Sequence, residues 1–497
     1  MTEPCDLTAV TARALIGAKK LSARELLESC IRRMDAIDPA VNAMVARDDE
    51  AARKAAAAAD EATVRGEALG ALHGLPVGIK DLENVAGLRT TYGSPLYRDF
   101  VPKQDQLIVA SVRKAGAIIA GKTNTPEWGA GANTRNAVYG VTGNPFDPTK
   151  SAAGSSGGSG VVLATNMVPL ATGSDTGGSL RNPAAFNGIV GFRPSPGLVP
   201  SEKRALGWTP LSVLGPMARN VPDLCLLLST MVSDDAADPL ATTIHGRTVR
   251  RSEDFARPDA IDLASLKVAL TPDFGFAPTE RLIRETFAEK TGAFSHLFRA
   301  AEAATPDCEG TDEVFEILRA VAFLAGHHDK VRDTPDLVGP NVRANVEEGL
   351  GYSALDVTRA MKQQTAIYQR WQHFFADYDV ILSPAMTLSP RPWSELYPAE
   401  IDGKPTRTYF HWLAMAYAVT VVGHPAISLP VGLDRNGMPF GLQIVGPRGG
   451  DAKVLAVAAA LEAQLAGDPL TARPVPDLAR LAKARPISES PNFMGFD

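Results

Sequence analysis

The sequence predicts an α/β layer fold, and three features carry the prediction. Short apolar runs of strand character recur at residues 75–79, 117–120, 266–271, 379–384 and 426–431. Between them lie longer stretches whose apolar residues return at helical spacing. No internal repeat and no low-complexity linker interrupts the alternation, which is the pattern of helices layered on a sheet. One unit over residues 1–497 is the simplest organisation, with a helical segment over about 1–70, a Gly/Ser-rich core over about 71–216 and a variable region over about 233–420.

Taken in order, residues 7–34 carry apolar positions at helical spacing, and Ser22 with Glu25 forms a capping box for a helix over 23–34. The Ala-rich residues 49–65 form a strong helix. The strand over 75–79 runs straight into Lys80 and Asp81. Residues 107–116 read as a helix, 117–120 as a buried strand, and 122–144 as a long polar loop holding Trp128 and Tyr139. An apolar run from Val161 lies between two Gly/Ser loops, followed by a short strand over 187–192 and a Pro-punctuated loop over 193–216. Residues 221–231 are helical, and the polar stretch 233–263 reads as a surface excursion. A strand over 266–271 leads to helices over 280–300, 311–325 and 354–377. A buried strand over 379–384 follows, then a hairpin pairing 426–431 with 440–445 across the turn 434–437, and a closing helix over 451–466.

Composition narrows the function. The net charge is −6 and the isoelectric point about 5.8, with no Lys/Arg block, so nucleic acid and acidic lipid are not expected partners. Cys5, Cys30, Cys225 and Cys308 lie far apart without a Cys-x-x-Cys motif, which fits a reducing compartment. The first residues carry acids and no basic stretch, and no apolar run reaches about 18 residues, the length of a membrane span. A cytoplasmic location is expected.

The chemistry concentrates in Ser151-Ala-Ala-Gly-Ser-Ser-Gly-Gly-Ser-Gly160 and Gly173-Ser-Asp-Thr-Gly-Gly-Ser-Leu-Arg-Asn-Pro183. Residues without bulk let other atoms approach the main chain, so such loops suit an anion hole. A phosphate loop needs a lysine after its glycines, and none is present. Gly154-Ser155-Ser156-Gly157-Gly158 matches the Gly-x-Ser-x-Gly elbow formally, with His424 as the tempting downstream partner. The third reading is a serine hydrolase with lysine as base, which requires a buried, neutral amine. Lys80 at the end of a buried strand suits that role. Lys122 competes on the same grounds, and Lys114 completes a formal Ser-x-x-Lys with Ser111 on an amphipathic helix.

Lys80, Gly154-Ser155-Ser156-Gly157-Gly158 and Ser174-Asp175-Thr176-Gly177-Gly178-Ser179-Leu180-Arg181 resemble, in order and spacing, the amidase signature family. The resemblance extends to residues 21–42, Gly121-Lys-Thr-Asn-Thr-Pro-Glu127, Gly188-Ile-Val-Gly-Phe-Arg-Pro194, Gly423-His-Pro-Ala-Ile-Ser-Leu-Pro430 and Gly441-Leu-Gln-Ile-Val-Gly446. It implies a large twisted mixed β-sheet flanked by helices on both sides. It also implies that Ser179 is the nucleophile, Ser155 the intermediate serine following a cis peptide bond, and Lys80 the base. Thr176, Gly177, Gly178 and Ser179 would then offer backbone N–H groups to an oxyanion. Asp175 and Arg181 would hold the nucleophile loop by buried ionic hydrogen bonds, while Ser156, Ser159 and Ser174 read as capping or packing groups.

The implied activity is cofactor-free hydrolysis of a carboxylic amide with an apolar or aryl portion, through an acyl-enzyme, with esters and urethanes within reach of the same chemistry. Candidate pocket residues fall at 128–133, 206–211, 315–323 and 411–417. Metal is not expected, since adjacent His327 and His328 lack the spacing of a zinc pair. A small-molecule amide is the expected partner, and a homodimer is left open. The alternative is the A subunit of a tRNA-dependent amidotransferase. Those subunits typically carry Ser-Arg-Tyr-Gly-Leu after the nucleophile, where this chain has Ser201-Glu-Lys-Arg-Ala-Leu-Gly-Trp208.

Overall fold

The structure, a computed structural model, describes residues 3–241, 243–244, 247–248 and 251–494. Its frame is an 11-stranded sheet. In chain order the strands are β1 (Met44–Ala46), β2 (Pro76–Lys80), β3 (Ile118–Thr123), β4 (Leu170–Asp175), β5 (Val190–Arg193) and β6 (Val213–Ala218). The rest are β7 (Lys267–Leu270), β8 (Ala300–Ala303), β9 (Val380–Pro384), β10 (Ala426–Leu433) and β11 (Pro439–Val445). Side by side they run β1-β3-β2-β4-β6-β5-β10-β11-β9-β7-β8. β2 pairs in parallel with β3 and β4, and β7 with β8 and β9, whereas the centre between β4 and β9 is antiparallel. The sheet is mixed, as the family resemblance implies.

Alternation along the strands divides the core in two. Val380 and Leu382 pack into one cluster and Ile381 into the other; Val268 and Ala269, Ile427 and Ala426, and Ile444 and Val445 divide in the same way. Successive strand residues face opposite sides, so the two clusters are the two faces of the sheet. Helices Ala9–Gly17, Ala23–Val41, Leu107–Lys114, Gly157–Ala164, Val221–Met231 and Asp451–Leu465 cover the first face. Helices Thr311–Asp333, Ala354–Asp377 and Ala414–Val422 cover the second. Among the described residues, no helix is long and apolar enough to cross a membrane.

Local chemistry explains where the sequence reading holds. Helices Asp49–Arg65, Val221–Met231 and Ala354–Asp377 begin where Asp48, Asn220 and Ser353 accept a backbone N–H from the first turn. The Ser22–Glu25 capping box is present, but its helix runs on to Val41 because Ile37, Ala40 and Val41 continue the buried stripe.

Four readings need correction. The helix expected over 280–300 ends at Phe294, and Ala300–Ala303 is an edge strand paired in parallel with β7. The apolar run from Val161 divides into helix Gly157–Ala164 and strand β4. The Pro-punctuated loop gives way to β6 at Val213, paired antiparallel with β4. The polar loop after residue 121 begins as the end of β3 and contains a short ladder between Arg135–Asn136 and Gly140–Val141. The expected excursion over 233–263 lies partly outside the described residues; within it, Phe255 is buried.

Candidate active site

Three elements converge where β2 and β4 end side by side. Lys80 is the last residue of β2, all five residues of which are buried. Its backbone N–H donates to Thr172 Oγ1 on β4 at 3.0 Å, fixing the register of the two strand ends. Its Nζ lies 2.8 Å from Ser155 Oγ, 2.8 Å from Ser156 Oγ and 2.9 Å from Ser174 Oγ. The Gly154–Ser155 peptide bond is cis. Ser155 and Ser156 stand just before helix Gly157–Ala164, and Ser174 is the penultimate residue of β4.

Burial lowers the pKa of Lys80 to about 7, against the opposing pull of the Glu83 and Asp175 carboxylates. The amine therefore sheds its proton far more readily than a solvated lysine. Glu83 was not singled out from sequence. It is buried, its Oε2 accepts the Thr172 hydroxyl, and burial raises its carboxyl to about 7 despite Thr172, Lys122 and Lys80. A lone carboxylate in a sequence carries no sign of such neighbours.

Residues 176–179 form the turn between β4 and helix Arg181–Asn187. Asp175 anchors it. The carboxylate accepts the Gly178 N–H at 3.0 Å and the Leu180 N–H at 3.2 Å. Arg181 grips both its oxygens at 3.0 Å, and Arg193 Nη1 reaches Oδ1 at 3.0 Å. All three side chains are fully buried. Burial alone would raise the Asp175 carboxyl, but the two guanidiniums hold it well below the usual carboxylate range. Asp175 and Arg181 were expected to hold the loop; Arg193, the last residue of β5, was not read as part of the anchor.

The same bonds refine the expected set of donors. The Gly178 N–H is committed to Asp175 at 3.0 Å. Glycine at 178 serves conformation instead. Its φ is +108°, and a Cβ there would meet Ala416 Cβ at 2.4 Å.

The other candidates separate cleanly. Lys122 is buried but tied to the Glu83 carbonyl, to Thr90 Oγ1 at 3.3 Å and to Asp81 at 3.7 Å. Lys114 is exposed in the last turn of helix Leu107–Lys114. His424 packs against Trp371 and Tyr368, and burial lowers its pKa to about 3, so the elbow reading finds no histidine beside Ser155. Ser159 packs as expected, against Thr123 and the Thr172 carbonyl. Ser156 occupies the N-cap position, yet its hydroxyl makes no capping bond and turns to Lys80, as does that of Ser174. The capping role open to Ser156 is therefore not taken up.

Ser155, Ser174, Thr176, Gly177 and Ser179 open onto a cavity of about 490 Å³. Its walls include Trp128, Leu206, Leu211, Phe315, Phe323 and Leu413, one or more from each of the four stretches expected to line a pocket. His327 also lines it, its ring tilted by 37° against that of Trp128 with centroids 4.7 Å apart. Among the described residues, no group of three His, Cys, Asp or Glu side chains could hold a metal ion, and all four cysteines are free and buried.

Residues 25–455 match the model of the Amidase family. An acylamidase of Rhodococcus erythropolis is 34% identical over 467 residues, covering 92% of this chain and 95% of that protein. The chain belongs to the amidase family. It is an amide-hydrolysing enzyme. As an amidase it also resembles the second A-type glutamyl-tRNA(Gln) amidotransferase chain of Clostridium acetobutylicum, 31% identical over 489 residues, which cover 93% of this chain and 99% of that one. Among solved structures, a bacterial aryl acylamidase of the amidase signature enzymes superposes with a TM-score of 0.85 at 25% identity, covering 97% of this amidase and 99% of that chain.

Proposed function

We propose that this amidase hydrolyses small acylamides with an apolar or aryl portion through a Lys80–Ser155–Ser179 relay and an acyl-enzyme. The observation that carries the reading is the buried amine of Lys80 at 2.8 Å from the Oγ of Ser155, which lines the same cavity as Ser179. Neutral Lys80 takes the proton of Ser155, and Ser155 takes that of Ser179 as Ser179 Oγ bonds to the amide carbon. The N–H groups of Thr176, Gly177 and Ser179 stabilise the oxyanion, each worth about 3–4 kcal/mol in such sites. The proton returns through Ser155 to the leaving amine as the C–N bond breaks, and water then clears the ester on Ser179. Ser155 and Ser179 are not hydrogen-bonded to each other in the free enzyme; catalytic contacts of this kind commonly tighten when substrate binds.

A second reading has its own support in the similarity to amidotransferase chains of the A type. It is glutamine hydrolysis that delivers ammonia to a partner. Against it stands the departure at residues 201–208. A turnover panel of aryl anilides, aliphatic amides, urethanes and glutamine separates the two. Hydrolysis of anilides or aliphatic amides by the isolated chain supports the first. Reaction with glutamine alone overturns it.

A further inference from the structure

One face of helix Thr311–Asp333 forms a wall of the cavity. Phe315, Arg319, Phe323 and His327 recur every four residues along it, a spacing that stacks side chains on one face, and all four line the cavity. Phe315 sets the near end of this row, because its Cζ lies 3.1 Å from the place of a Cβ on Gly177. Arg319 stands four residues along, about 6 Å of rise.

Arg319 is only 5% exposed, and its guanidinium lies over the rings of Phe410, Tyr409 and Phe323 at 4.3, 4.7 and 5.0 Å. It makes one hydrogen bond, from Nη1 to Asn345 Oδ1, and no ion pair among the described residues. Glu348, the carboxylate whose charge reaches it, accepts instead from the Tyr352 hydroxyl at 2.8 Å. Burial lowers the Arg319 pKa to about 9, which leaves it cationic at neutral pH. A guanidinium carries five N–H donors, so most of this one's are unspent beside the cavity.

The rest of the lining reinforces that charge. Among the described residues that line the cavity, Lys203, Arg204, Arg319 and Lys330 are basic and Glu83 is the one acid. Arg204 is paired with Asp238, and Glu83 is occupied by Thr172. Lys203, Arg319 and Lys330 have no carboxylate partner among the described residues. A cavity lined by three cations without an ion pair, with the charges of Glu202 and Glu348 reaching two of them, favours an anion although the chain's net charge is −6.

We infer that the preferred substrate is an amide bearing a carboxylate on its non-reacting portion, seated on Arg319, with its aryl or apolar body against Phe315, Phe323 and Phe410. This rests on the amide-hydrolysis reading and narrows it. The planar fork of arginine receives both oxygens of a carboxylate, a match that a neutral amide cannot make. The carboxylate belongs either to the acyl half or to the amine half of the substrate, and matched pairs tell these apart. Succinic acid monoanilide against butyric anilide probes the acyl half, and 4-acetamidobenzoate against 4-acetamidotoluene the amine half.

The test compares kcat/KM within each pair for the wild type, Arg319→Met and Arg319→Lys. In at least one pair the wild type should favour the carboxylate by about tenfold or more, with the preference lost in Arg319→Met and at least halved in Arg319→Lys. Absence of a preference in both pairs, or its survival in both variants, overturns the inference. Calorimetric titration of the same carboxylates onto Ser179→Ala, with and without Arg319→Met, reads binding without turnover. Arg319-dependent binding beside a failure to hydrolyse any of the four compounds keeps the anion site and sinks the hydrolytic reading. Binding indifferent to Arg319 sinks the anion site alone.

Discussion

Asp175 Oδ1 accepts the main-chain N–H of Gly178 at 3.0 Å while Arg181 and Arg193 hold the same carboxylate from the side chains of two other elements. The turn that presents Ser179 is thereby fastened to the interior by a buried ion cluster of one carboxylate and two guanidiniums. Removing one member of such a cluster leaves uncompensated charge, which typically costs about 3–5 kcal/mol. Asp175→Ala should lose stability of that order in urea denaturation and lose most turnover with it. Stability within about 1 kcal/mol of wild type would show that the cluster does not anchor the turn.

In the proposed relay the state of Lys80 sets the pH dependence. Its pKa is lowered by burial, so the neutral fraction grows as pH rises through about 7, and only the neutral amine accepts the Ser155 proton. For a neutral anilide, kcat/KM should climb across that range and level off above it. A profile that falls between about pH 6 and pH 8 contradicts Lys80 as the base.

Ser156 and Ser174 flank the amine without being assigned a proton-transfer step. Both hydroxyls sit within 2.9 Å of Nζ and favour its charged form. Ser156→Ala should therefore shift the acid limb of the pH profile downward, by about one unit, while Ser155→Ala lowers acylation by about 10²–10⁴. Equal losses in the two variants, with no movement of the limb, would mean that Ser155 has no special place in the relay.

Gly178 has room for no side chain. With φ at +108° and Ala416 Cβ 2.4 Å from the place of a Cβ, Gly178→Ala must displace the turn. A loss of about 1–3 kcal/mol in stability is expected, with a fall in kcat of about 10² or more as neighbouring N–H donors leave their positions. Wild-type kcat with unchanged thermal stability is the contrary result.

Much of the fold was legible because particular residues announce it. Asp48, Asn220 and Ser353 mark helix starts by their own side chains, and the five-residue β2 ends visibly at Lys80. Strand β8 was not legible: Ala-Ala-Glu-Ala has no β-branched residue and becomes a strand only through its pairing with β7. Helix Ala414–Val422 is buried on every side and so shows no amphipathic period. Helix Arg181–Asn187 carries Pro183 and is short, which hid it as well. At the site, Lys80, Ser155 and Ser179 stand in recognisable motifs. Glu83, Arg193 and Arg319 do not, because their surroundings come from segments distant in sequence.

The most direct measurement is intact-mass spectrometry of the wild type and Ser179→Ala after brief incubation with an aryl acylamide, followed by peptide mapping. The account predicts a mass increase equal to the acyl group in the wild type, carried on the peptide containing Ser179, and none in Ser179→Ala. An acyl adduct on another residue, or normal turnover by Ser179→Ala, would contradict it.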